Sequence, residues 1–190
     1  MNYSRAWLLL PVAILLAAPA KATVVVPKDF VALCREADLI FVGTVTDTRS
    51  RWVDEADGDI ETLVTFSDLD PLLGVEQGTV TLRFSGGEMD GRREEIAGIP
   101  RFHVGERAVI FARRGRWLNP IVGFRQGCFR VVEGEAGPVV LDADGHPLVD
   151  VQQGAVRLGA PEAGTGAAMP LDVFLERVRR EITSGSDGGS

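Results

Sequence analysis

Residues 79–85 read Thr79-Val80-Thr81-Leu82-Arg83-Phe84-Ser85. Apolar and polar side chains alternate without a break. Val80, Leu82 and Phe84 point one way; Thr79, Thr81 and Arg83 point the other. Such a strand has one buried and one wet face, as antiparallel sheets do. The chain on either side extends the pattern. Residues 39–48 are β-branched and aromatic and predict a strand, with Gly43 marking a bulge or bend inside it. Residues 60–69 predict a second strand, with Ile60, Thr62, Val64 and Phe66 on one face. A polar, acidic turn ending in Asp57-Gly58 joins the two as a hairpin with a longer loop.

Downstream, residues 85–98 read as a charged loop. Glu88, Asp90, Glu94 and Glu95 interleave there with Arg92 and Arg93, the pattern of a solvated connection. Ser85-Gly86-Gly87 is a turn, because no helix follows it to make an anion site. The centre of residues 107–113, Ala-Val-Ile-Phe-Ala, predicts a strand buried on both faces. Residues 121–132 form a further strand region broken at Gly123 and Gly127, with Cys128 and Phe129 on opposite sides. Residues 139–151 predict a hairpin around Asp144-Gly145.

Two helices frame these strands. Phe30, Leu33, Cys34 and Ala37 recur at helical spacing after Pro27. Leu171, Phe174, Leu175, Val178 and Ile182 form a regular apolar stripe, with Pro170 suited to the first helical position. Asp172 near the start and Arg177, Arg179 and Arg180 near the end complement the helix dipole. With no βαβ alternation, the expected fold is mainly β: a small closed antiparallel barrel with a short N-terminal helix and a C-terminal amphipathic helix.

The first residues read as an export signal. Arg5 precedes an apolar run over residues 7–18, too short for the roughly 20 residues of a spanning helix. Ala20-Lys21-Ala22 is a small-x-small cleavage site, so the mature chain is expected to begin at Thr23 after Ala22. The expected organisation is a signal peptide over 1–22, a β-barrel domain with a C-terminal hairpin over 23–151 and a Gly/Ala-rich linker over 152–168. A packing helix over 169–183 and a flexible tail over 184–190 complete it. The expected location is the periplasm or the exterior of a bacterial cell, with no membrane insertion after cleavage. Two cysteines, Cys34 and Cys128, are present. In an oxidising compartment one disulfide is the simplest reading, closing a loop of about 95 residues; two separate buried thiols are the alternative.

Charge excludes some partners. The chain carries 27 acidic against 20 basic residues, a net charge of −7. The leader holds Arg5 and Lys21 and no acid, so the remainder is more negative still. Nucleic acid and anionic membranes call for clustered cations instead. Lys occurs at positions 21 and 28 alone while Arg is plentiful, a bias of GC-rich bacterial genomes.

Motifs for catalysis are missing: no His-Glu-x-x-His, Cys-x-x-Cys, Gly-x-Ser-x-Gly or phosphate loop occurs. His103 and His146 are the two imidazoles. Both sit beside turns and are read as surface residues, so neither a catalytic nor a metal residue is assigned, and no cofactor is expected. Asp54, Glu55, Asp57 and Asp59 cluster in one turn; Asp142, Asp144 and Asp150 flank another. Neither completes the alternating oxygen pattern of a calcium loop, and Asp-Gly is itself a preferred turn pair.

One order of segments resembles a known module. Val26-Pro27 is followed by Cys34, then by Ala37-Asp38-Leu39-Ile40-Phe41-Val42-Gly43-Thr44-Val45. A second strand leads to Leu73-Gly74, a third runs from Val80 to Phe84, and Phe102-His103-Val104-Gly105-Glu106-Arg107 leads into Val109-Ile110-Phe111. Over residues 26–132 this resembles the netrin-like module, the OB-type barrel of the tissue inhibitors of metalloproteinases. The resemblance implies that a disulfide ties the segment before the first strand to a distant strand, as Cys34 and Cys128 would. Inhibitory members chelate the protease zinc through an N-terminal cysteine. Here Thr23 holds that position, and Val25 stands where a second cysteine is expected.

The expected function is therefore an exported, non-enzymatic binding or accessory module that meets a protein or envelope component through loops at one end of the barrel. A metalloprotease inhibitor acting through Thr23 is a second reading. A hydrolase using a carboxylate site near residues 54–59 is a third.

Overall fold

A computed structural model describes residues 26–54, 58–76, 78–115, 118–152, 154–160 and 164–186. The leader, its cleavage site Ala22-Thr23, and Glu55 and Asp57 of the first acidic turn lie outside the described residues. Helix α1 spans Phe30–Glu36. Asp29 starts it as N-cap, its carboxylate accepting the Ala32 amide at 2.6 Å, which satisfies one of the free donors of the first turn. Phe30, Leu33 and Cys34 are buried, as their spacing predicts.

Strands β1 (Leu39–Asp54), β2 (Asp59–Leu73), β3 (Val80–Ser85), β6 (Arg107–Ala112), β7 (Cys128–Gly134) and β8 (Gly137–Asp142) form one antiparallel sheet in the order β3-β2-β1-β6-β7-β8. Short strands β4 (Gly87–Met89) and β5 (Arg92–Glu94) make a hairpin inside the charged loop, turning at Asp90-Gly91 where both φ angles are positive. The long β1–β2 hairpin carries register shifts, one of them between Val42 and Thr44. Gly43 sits in that shift, and a Cβ there would lie 2.9 Å from Leu69 and 3.1 Å from Phe66. The bulge read from Gly43 thus coincides with a close approach that excludes a side chain.

The sheet carries a core on each face, while Thr81 and Arg83 of β3 stay exposed. On one face, α1 and α2 (Leu171–Ser186) cover Ile40, Val42, Val109, Phe111 and Phe129. The rings of Phe30, Phe111, Phe129 and Phe174 meet there, mostly edge to face, with centroids 5.0 to 6.4 Å apart. On the other face lie Phe41, Val45, Val64, Phe66, Leu82, Phe84, Ile110 and Cys128. Phe102 packs on that second core from the loop before β6, 5.4 Å from Phe66 and 5.5 Å from Phe84 between centroids. The β6 run Ala108 to Ala112 is buried throughout, because each side chain enters one core or the other.

The structure corrects several expectations. The sheet is open: among the described residues no strand pairing joins β3 to β8, so the closed barrel is not formed. The outer edge of β8 is taken by the segment that leads into α2, with Val139 bridging Pro170 and Val140 N donating to Met169 O at 3.0 Å. Across the gap at β3, Ser85 N donates to Leu118 O at 2.8 Å, a single bond rather than a ladder among the described residues. The hairpin expected over 139–151 forms only its turn. After Leu141 bridges Pro147, strand β9 (Leu148–Gln152) leaves the sheet and pairs with β10 (Ala155–Leu158). The first part of the span read as a linker, through Leu158, therefore belongs to a hairpin, turning at Gly154 with φ +82°.

Helix α2 runs on to Ser186, into the expected tail. Arg177 and Arg179 consequently lie in its middle and bind acids on other elements, Asp150 at 2.6 Å and Asp70 at 3.6 Å. Cys34 and Cys128 are both buried free thiols. Cys34 belongs to the helix-covered core and Cys128 to the opposite one, so the sheet separates them and the expected disulfide is not formed. No helix among the described residues is long and apolar enough to cross a membrane.

Candidate functional site

An apolar-walled cavity of about 460 Å³ lies between α1, the start of β7, the 142–146 turn and β10. Leu33 and Phe129 of the first core, with Val156 and Leu158 of β10, supply its apolar walls. Local sequence explains how the frame is held. Gln126 lies just before β7 and clamps the chain entering α1. Its side chain accepts from Lys28 N at 2.7 Å and donates to Val26 O at 3.1 Å. The β9–β10 turn is tied to the same helix by Phe30 N donating to Gly154 O at 2.5 Å.

Asp29, Asp142 and Asp144 stand on the cavity wall with Lys28 and Arg125. Lys28 turns its ammonium to Glu36 at 2.5 Å, and Arg125 pairs with Asp144. Asp142 organises the turn. One of its carboxylate oxygens accepts Asp144 N at 2.9 Å and His146 N at 2.8 Å, and the other meets the His146 ring at 3.0 Å. Gly145 takes φ +90° in this turn, a conformation that L side chains rarely adopt.

Asp142, Asp144 and His146 offer ligand atoms within 4.8 Å of one another and are the group among the described residues that could hold a cation. Three donors fall short of the six to eight oxygens calcium takes, and the Arg125 guanidinium occupies one of the carboxylates. Asp150, read alongside this pair in the sequence, is held elsewhere by Arg177. The missed partner was His146, and the i, i+2, i+4 spacing of Asp142-x-Asp144-x-His146 was the signal for it. At the other acidic turn, Asp54 pairs with Asp59 and Gly58 N donates to Asp54 O at 2.9 Å, closing the β1–β2 hairpin.

A second cavity of about 250 Å³ opens beneath the β4–β5 hairpin, lined by Thr62, Phe84, Ser85, Arg101 and His103 among others. The His103 ring meets Glu106 at 2.8 Å, and Arg130 reaches the same carboxylate at 2.7 Å. Burial raises the Glu106 pKa, but the hydrogen bonds from His103 and the Arg130 charge outweigh it and hold the carboxyl below its ordinary range. His103 is itself widely exposed, which fits a turn pair between residues i and i+3.

Compared with protein-family models, with curated proteins and with solved structures, the chain matches none.

Proposed function

We propose that the chain is an exported, non-enzymatic binding module whose ligand site is the cavity between α1, the 142–146 turn and β10. The observation that carries this reading is the cavity itself: about 460 Å³, apolar in its walls, with a few charged groups on them. Small-molecule sites have this form, at roughly 300–1,000 Å³. Two of the walls are tied to the rest of the fold, since Gln126 pins the entry to α1 and Arg177 donates to Val151 O of β9 at 2.6 Å. Such ties lower the ordering cost of binding.

The netrin-like resemblance enters here as the fold-level part of the proposal. It is supported by β1 being shared between β2 and β6, and by Leu118 reaching Ser85 across the open side. OB-type barrels are often partly open. The leader read in residues 1–22 supports export. The inhibitor reading rests on Thr23, outside the described residues, and nothing in the geometry favours it.

The test is calorimetric titration of the purified protein with small apolar compounds that are neutral, cationic or anionic. Val156→Trp, which fills the cavity from a partly exposed position, is the control. Binding that this substitution abolishes is the expected result. Binding that it leaves untouched, or none across the set, refutes the proposal.

A further inference from the structure

We infer that the cavity between α1 and β10 selects a small apolar ligand carrying an ammonium group. This rests on the proposed binding function and names the ligand class for that site. Charge on the walls points this way. Three carboxylates line the cavity, on Asp29, Asp142 and Asp144, against two cations, on Lys28 and Arg125. Lys28 is drawn to Glu36 rather than to any of the three acids. Arg125 answers Asp144 alone. Among the described residues, Asp29 has no ion pair, and Asp142 meets an imidazole rather than a permanent cation. The wall therefore holds more negative than positive charge, beside apolar surface from Leu33, Phe129 and Val156. Asp142 spends both oxygens on the 142–146 turn and Asp29 spends one on the Ala32 amide. An entering ammonium therefore meets the second Asp29 oxygen and the net negative charge of the wall, whereas an entering carboxylate meets excess charge of its own sign. At about 460 Å³ the cavity is sized for one compact ligand.

The experiment compares 2-phenylethylamine, 2-phenylethanol and 3-phenylpropanoate, which share a phenylalkyl body and differ in the head group. Binding is read by calorimetry and by amide shifts over residues 125–129 and 142–158. The amine is expected to bind about tenfold tighter than the alcohol, the difference between a charged and a neutral hydrogen bond. The acid is expected to bind weakest. Asp29→Asn and Asp144→Asn remove one charge each and leave the local backbone its bonds, since Asn caps a helix as well as Asp and is at home in turns. At least one of them should lower the amine preference by about threefold to fivefold without changing alcohol binding.

If the alcohol or the acid binds as tightly as the amine, and Val156→Trp abolishes it, the ligand class is wrong while the cavity reading stands. An amine preference that survives both Asn substitutions also overturns the assignment. If none of the three binds, the ligand class falls. The cavity reading falls with it only where the broader panel fails as well.

Discussion

Two single residues show how strongly burial governs chemistry in this chain. The Cys34 thiol is pushed up to about 12, chiefly by burial and further by the nearby Glu181 charge. The Cys128 thiol is pushed up to about 12 as well, again by burial above all. Thiolate is the reactive form, so both groups are inert in the folded protein near neutral pH. A thiol reagent at pH 8 should therefore find no reactive cysteine in the native protein. After unfolding in denaturant without reductant it should find both, and intact mass should show no cross-link. A protein that yields no thiol after unfolding would contradict the placement of these residues on opposite faces of the sheet. Glu61 is the contrasting case, a carboxylate only 5% exposed on β2. Arg51 at 2.5 Å and Arg83 at 3.6 Å compensate it from the two neighbouring strands. A lone carboxylate at that depth would cost several kcal/mol, so the flanking arginines are a condition of its burial.

At the scale of elements, α1 depends on charged contacts at both ends. Asp29 caps its start, and Glu36 at its end binds Lys28 and, beyond β6, Arg113. The Glu36 carboxyl is held below its ordinary value of 4.5, first by the Lys28 hydrogen bond, which outweighs burial, with the Lys28 charge and Arg113 adding lesser shares. A depressed folded-state pKa contributes stability above the unfolded value, and that contribution is lost as pH falls through the folded value. Glu36→Gln should therefore lower the melting temperature at pH 7. The gap to the parent should close progressively as pH drops below about 4.5. An equal gap at pH 7 and at pH 3 would show that the pairs contribute nothing through charge. Helix α2 is held differently, by Phe174 and Val178 buried in the core and by Arg177 on Asp150. This explains why the β9–β10 hairpin, which leaves the main sheet, still has a fixed place.

For the whole molecule, the central fact is one sheet shared by two cores. β1 and β6 send alternate side chains into each, so neither core can open without disturbing both strands. Peripheral pieces have fewer ties: among the described residues, β4 and β5 pair only with each other, as do β9 and β10. Local opening follows such differences in packing. Amide exchange should be slowest over residues 40–45 and 108–112, and fastest among the strands over 87–94 and 148–158. Comparable protection across all four stretches would argue against this division. The cavity lies at a boundary of the same kind, between the helix-covered core and the outlying hairpin.

Period and composition in the sequence determined the local elements. The alternation in residues 79–85, the buried run in β6, the bulge at Gly43 and the apolar stripe of α2 were all legible, because side-chain direction is fixed by backbone period alone. The opposite orientations of Cys128 and Phe129 were legible for the same reason. What followed from them was not. Whether the sheet closes depends on which segment reaches the outer edges of β3 and β8, and local pattern carries no information about that. Cysteine counting paired two thiols that the sheet separates. The cavity joins Asp29, Phe129, Asp142 and Val156, residues far apart in the chain, and only tertiary packing could bring their surfaces to one place.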